Sequence, residues 1–156
     1  MNKVKVHEHI IRIAEPGISR ARLWQGLVDS VRSPEKYVEH MESSKIVSEE
    51  ITDVGTLLQR EIDFGNFRLQ DRVILRENQS LLTVVDKGPN WKASTFLIRI
   101  EEPESGVLFL RFVYEEEGGG EALPEMFLRL RQQAYEAKDR KLVEQVLDNI
   151  ATKVSN

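Results

Sequence analysis

Val4 and Val6, then Ile11 and Ile13, alternate with polar residues on either side of a break near Ile10, so residues 3–14 predict a strand with a bulge at that point. Glu15-Pro16-Gly17 ends it. Ser19 then stands as the cap of a helix whose Leu23, Trp24, Leu27, Val28 and Val31 recur at helical spacing, and Ser33-Pro34 opens a second short helix carrying Tyr37, Val38 and Met41. From Ser44 to Glu116 the period changes to two. Turn signals at Asp53-Val54-Gly55, Gly65-Asn66, Asn78-Gln79, Gly88-Pro89-Asn90 and Pro103-Glu104-Ser105-Gly106 divide that stretch into six consecutive strands. The acidic run from Glu115 to Glu121 contains Gly118-Gly119-Gly120, which reads as a hinge. It has no phosphate-loop lysine and its neighbours would repel an anion. Beyond it Pro124 lies near the start of a helix that continues almost to Asn156.

The order β-α-α-β6-α predicts an α+β fold. A long antiparallel meander with one apolar face twists and curls, and its concave side has to be covered. The terminal helix is the only element long enough. Its apolar side is not constant, because Tyr135, Leu142, Val146, Ile150 and Val154 share one face while Met126, Phe127, Leu130, Ala134 and Ala137 lie well round from it. Either the helix breaks near residues 136–140, or its first half makes a second contact.

A length of 156 residues suits one domain spanning 1–156. The composition, 40% hydrophobic and 31% charged, is that of a globular chain, and a net charge of -4 argues against a broad grip on nucleic acid or anionic lipid. With no cysteine, disulfides and thiolate chemistry are excluded. No apolar run is long enough for export or for crossing a membrane, so a cytoplasmic protein is expected.

The element order resembles the START/Bet v1-like helix-grip superfamily over essentially the whole chain. More locally, Ile18-Ser-Arg-Ala-Arg-Leu-Trp-Gln-Gly-Leu-Val and Val31-Arg-Ser-Pro-Glu-Lys-Tyr-Val look like the branch named after the acetylaranotin biosynthesis protein AtaL. The resemblance implies a cavity between sheet and C-terminal helix, as in lipid-transfer, plant allergen, polyketide cyclase and cochaperone relatives. It carries over no active-site constellation and implies no cofactor.

Centring each hairpin on its turn places Arg60 opposite Asp71, Glu49 opposite Arg60, Asp71 opposite Asp86, and Lys92 near Asp86. That polar row shares a face with Phe96, Ile98, Ile100, Leu108, Leu110, Phe112 and Tyr114, assigned to the concave side. Charges buried there must be paired or reach water, and an ion-pair ladder that fixes register explains the row. The functional alternative makes Arg60 a bidentate anchor for an anionic ligand group, and makes Asp71 and Asp86 the candidates for proton transfer.

On this reading the protein binds a small apolar ligand with one anionic or hydrogen-bonding group. Arg60 is the anchor, beside Glu49 and Asp71. Phe64, Phe67, Leu69, Phe96, Phe112 and Tyr114 form walls, and Leu130 with Ala134 or Tyr135 forms a helical lid. An aromatase/cyclase-type enzyme and a cochaperone-like interaction module are the alternatives. His7 and His9 point the same way on one strand, but lack a third metal ligand and are expected to face solvent. His40 has no base or nucleophile partner, and Ser43 and Ser44 sit where turn bonding is commoner. Trp24 is expected in the core. Trp91 is expected on the convex face with Ala93, Leu97, Val107, Phe109 and Val113, an apolar set that marks either a homodimer interface or a slipped register in the sixth and seventh strands.

Overall fold

Ten residues of alternating polarity, Lys3–Arg12, form the first strand, β1. A computed structural model of the protein describes residues 2–118 and 123–155, with side chains to Ala151. Gly119 and Gly120 of the expected hinge, and the Val154 side chain, lie outside the described residues. After β1 come the helix α1 (Arg20–Arg32), a 3-10 turn at Pro34–Lys36, and six strands: β2 (Ser43–Thr52), β3 (Gly55–Asp63), β4 (Arg68–Arg76), β5 (Ser80–Val85), β6 (Ser94–Glu104) and β7 (Val107–Glu117). The helix α2 (Glu125–Ser155) ends the chain. All strands pair antiparallel in the order β1-β7-β6-β5-β4-β3-β2. Among the described residues no helix is long and apolar enough to cross a membrane.

Ser19 caps α1, its hydroxyl accepting from the Arg22 N–H at 3.1 Å. The expected second helix is only the turn at Pro34–Lys36. Tyr37 explains why it goes no further. Its hydroxyl donates to Asp29 at 2.6 Å and accepts from Asn149 at 2.8 Å, which pins the segment between α1 and α2. His40 then turns left-handed, with φ of 67°.

Leu23, Trp24, Leu27 and Val31 of α1, Val143, Val146 and Ile150 of α2, and Leu58, Val73, Leu81, Ile98, Leu110 and Phe112 of the sheet make one core. The helix α2 is continuous, so no break reconciles its two apolar faces. Met126, Phe127 and Leu130 are instead 70%, 57% and 54% exposed, and the first half of the helix meets the sheet through Arg131 with Glu116 and through Tyr135 stacked on Tyr114.

Three register differences reshape the concave face. The β1 irregularity lies between Lys5 and His7, not near Ile10, so His7, His9 and Ile11 pair with Tyr114, Phe112 and Leu110 and face inward. At the β2–β3 turn Thr52 pairs with Gly55, so the turn centres on Asp53-Val54, one residue earlier than expected. Gly55 permits this, since at its φ of 137° a methyl group would lie 2.1 Å from the Leu75 carbonyl oxygen. With a second irregularity between Ile46 and Ser48, Arg60 faces Ile46, and Glu49 faces Leu58.

The β4–β5 loop has three residues, with Asn78 left-handed at φ of 61°, and pairs Arg76 with Ser80. That one-residue difference turns β5 over, so Leu81 and Thr83 point inward and Asp86 outward. The convex set of Leu97, Val107, Phe109 and Val113 is half-buried and is crossed by ion pairs of Arg111 with Glu8 and Glu101.

Candidate functional site

The curl of β3 to β6 and the separation of α2 from the sheet leave a cavity of about 500 Å³. Leu81, Thr83, Phe96 and Ile98 form its floor, and Val31, Tyr37 and Met41 one side. Ala137, Lys138, Asp139 and Leu142 of α2 face them. Arg60 stands in the wall and is 7% exposed. Its Nε and Nη2 donate to the two oxygens of Asp71 at 2.8 and 2.6 Å, and Nη1 donates to the Val31 carbonyl at 2.7 Å. The guanidinium therefore ties two strands to the C-terminal turn of α1, where the last carbonyls lack helical partners.

A second buried group lies on α2. Asp139 is fully buried, its Oδ2 is 2.7 Å from Nε2 of His9, and the Tyr114 hydroxyl donates to it at 2.7 Å from either oxygen. Burial raises the Asp139 carboxyl above the ordinary aspartate range, and the bonds from His9 and Tyr114 oppose that shift. The Tyr114 hydroxyl is raised well above its usual value by burial and then by the Asp139 charge. One turn earlier, Nε2 of His7 lies 3.1 Å from Oε2 of Glu136, in a geometry too bent for a hydrogen bond. Among the described residues no three such side chains converge to hold a metal ion.

Lys138 completes the arrangement. Its ammonium sits 4.8 Å from the ring centre of Phe96, 5.1 Å from that of Tyr114 and 5.7 Å from that of Tyr135. Among the described residues no hydrogen-bond acceptor reaches it. The surrounding walls hold its amine below the ordinary lysine value, with Asp139 acting the other way. The side chain keeps accessible surface, because the cavity opens to solvent, and this limits the depression. Beyond Phe96 lies a second cavity of about 370 Å³, lined by Trp91, Tyr114, Glu116, Arg131, Tyr135 and Lys138.

The family described as acetylaranotin biosynthesis cluster protein L, AtaL, matches residues 8–154. The chain belongs to the AtaL family. Its fold is START/Bet v1-like, shared with the crystal structure of Ara h 8.0201 at 14% identity and a TM-score of 0.62, covering 94% of this chain and 99% of that one. The Zhui aromatase/cyclase from Streptomyces sp. R1128 is similar at 13% identity and TM-score 0.64, covering 98% and 96%. A START superfamily protein from Mycobacterium smegmatis gives 12% identity and 0.63, covering 94% and 97%. No curated protein matches the sequence.

In this AtaL-family protein the expected polar row is dispersed. Arg60 and Asp71 meet, whereas Glu49 bonds Arg32 at 2.8 Å at the sheet edge and Asp86 bonds Arg72 at 2.7 Å on the convex side. Lys92 lies by Glu116 instead of Asp86. Of the expected walls, Phe96 lines both cavities and Tyr114 and Tyr135 line the second. Phe112 is fully buried behind them, stacked on His9 at 5.0 Å. Phe64 and Phe67 stack on each other at 4.7 Å at the β3–β4 turn, and Leu69 pairs with Ile62; none of the three lines either cavity. Leu130 also lies outside both. Trp91 turns inward to the second cavity, its indole N–H donating to the Asp86 carbonyl at 3.0 Å.

His7, His9, Glu136, Lys138 and Asp139 were not legible as a group. One signal was present: Asp139 falls on the same helical stripe as Tyr135, Leu142, Val146 and Ile150, where a carboxylate must be partnered.

Proposed function

We propose that this protein is a single domain that binds a small, largely apolar ligand carrying one anionic or hydrogen-bond-accepting group. The ligand occupies the 500 Å³ cavity, with Lys138 as its polar anchor. The observation that carries the reading is the Lys138 ammonium, which stands at the solvent-open side of an apolar cavity with three aromatic faces around it and, among the described residues, no hydrogen-bond acceptor. Rings attract a cation but accept hydrogen bonds poorly, so an acceptor on the ligand supplies what the walls omit. Arg60 is less suited to that role, since Asp71 and Val31 already engage it.

Fluorescence titration with anilinonaphthalene sulfonate, an aromatic probe bearing one anion, tests this. Saturable binding at one site is expected. It should weaken in Lys138→Met, and in Ala137→Trp, which fills the cavity from an exposed helical position. Unsaturable binding, or affinity indifferent to both changes, overturns the reading. Native mass spectrometry of the purified chain then looks for a retained molecule.

Asp139 favours a second reading, an enzyme of the aromatase/cyclase type, because it places a proton-carrying group bonded to His9 and Tyr114 in the cavity wall. A bell-shaped pH-rate profile that loses one limb in Asp139→Asn supports it.

A further inference from the structure

We infer that Lys138 captures an apolar aldehyde or ketone as an imine, an activity that rests on the cavity reading above. The amine stands in the wall of a cavity large enough for a small aromatic carbonyl compound. Phe96, Tyr114 and Tyr135 surround it, and among the described residues no carboxylate forms an ion pair with it. Lys141 lines the same cavity, but its ammonium is engaged in an ion pair with Glu39.

An ammonium brings three N–H donors into a site that offers ring faces and few acceptors. An iminium retains the positive charge for the rings and keeps a single N–H, so the cage suits it better than the ammonium. Crowding by apolar walls also favours the free amine that must attack, a recognised way to activate lysine. The step balances without a co-reactant. The nitrogen lone pair bonds to the carbonyl carbon, and a proton passes from nitrogen to oxygen. The proton released when the ammonium became the free amine then returns to the departing hydroxyl, and loss of water breaks the C–O bond as C=N forms. The water carries the carbonyl oxygen and two of the three ammonium protons, and the third stays on the iminium nitrogen. Asp139, the next residue and part of the same wall, is positioned to relay the proton, its carboxyl being held toward the neutral form by burial.

The test treats the full chain with 2-naphthaldehyde and sodium cyanoborohydride, which fixes an imine as a stable secondary amine. Intact mass and peptide mapping then report the site. One dominant adduct at Lys138 is expected, with every other lysine labelled far more slowly. It should vanish in Lys138→Arg and persist in Lys141→Arg, with circular dichroism confirming that both variants fold. Adducts spread over exposed lysines and unchanged by Lys138→Arg overturn the inference. The dye titration on the same sample separates the two readings: saturable dye binding without a Lys138 adduct sinks imine formation alone, and no dye binding sinks the cavity reading.

Discussion

Nε2 of His9, on the first strand, lies 2.7 Å from Oδ2 of Asp139, on the last helix, and this contact joins segments 130 residues apart inside the core. Because burial raises the Asp139 carboxyl, the group contributes most to stability below its unfolded value, near 3.8, and loses that contribution as pH rises through the higher folded value. Asn does not titrate. Chemical denaturation of Asp139→Asn should therefore show its stability relative to wild type improving as pH rises from about 4 toward neutrality. A difference that stays flat over that interval contradicts a raised carboxyl.

Arg60 and Asp71 behave as a structural pair. Arg60→Ala leaves a carboxylate that is 6% exposed without its partner, and should cost about 3–5 kcal/mol in denaturant unfolding. The double change Arg60→Met with Asp71→Leu should restore much of that loss. Dye affinity in the folded fraction should change less for Arg60→Ala than for Lys138→Met, which reverses the ranking expected from the polar row.

Glu116 and Arg131 clasp β7 to the first half of α2 at 2.5 Å. The bond from Arg131 holds the Glu116 carboxyl below the ordinary glutamate value, chiefly by hydrogen bonding and against a burial cost. A lowered carboxyl stabilises above its unfolded value near 4.5, and that support is lost as pH falls through the folded value. Arg131→Gln should lower stability at neutral pH by under about 1 kcal/mol, since the pair is partly exposed, and should flatten the decline below pH 4.5. Melting curves across pH 3 to 7 check both parts.

Gly26 is where the helices touch. A methyl group there would lie 2.6 Å from Cγ1 of Val146, so Gly26→Ala should destabilise by about 1–3 kcal/mol despite the better helix propensity of alanine. Adding Val146→Ala should recover part of the loss, read as the shift in denaturation midpoint.

The architecture was legible because it depends on gross periodicity. Alternation from Ser44 to Glu116, the Gly65-Asn66 turn and the long final helix survive errors of a residue or two. The site did not survive them. One left-handed residue, Asn78, lengthened a turn and sent Asp86 to the outer face, while Gly55 and the irregularity beyond Ile46 moved Glu49 away from Arg60. Placing the β1 irregularity near Ile10 in place of Val6 left the histidines on the wrong side of the sheet. Side-chain face depends on parity, and parity is set by local backbone geometry that hydrophobic patterning does not encode.

Phe96 and Lys138 belong to the walls of both cavities, so together they act as a partition between two rooms. A flexible four-carbon stem is an easily moved divider, and its rotation would merge the chambers into a channel running beneath α2. Ligand length is then governed at position 138: a bulky rigid residue should restrict the protein to short guests, and a small one should admit chains that thread past Phe96 toward Trp91.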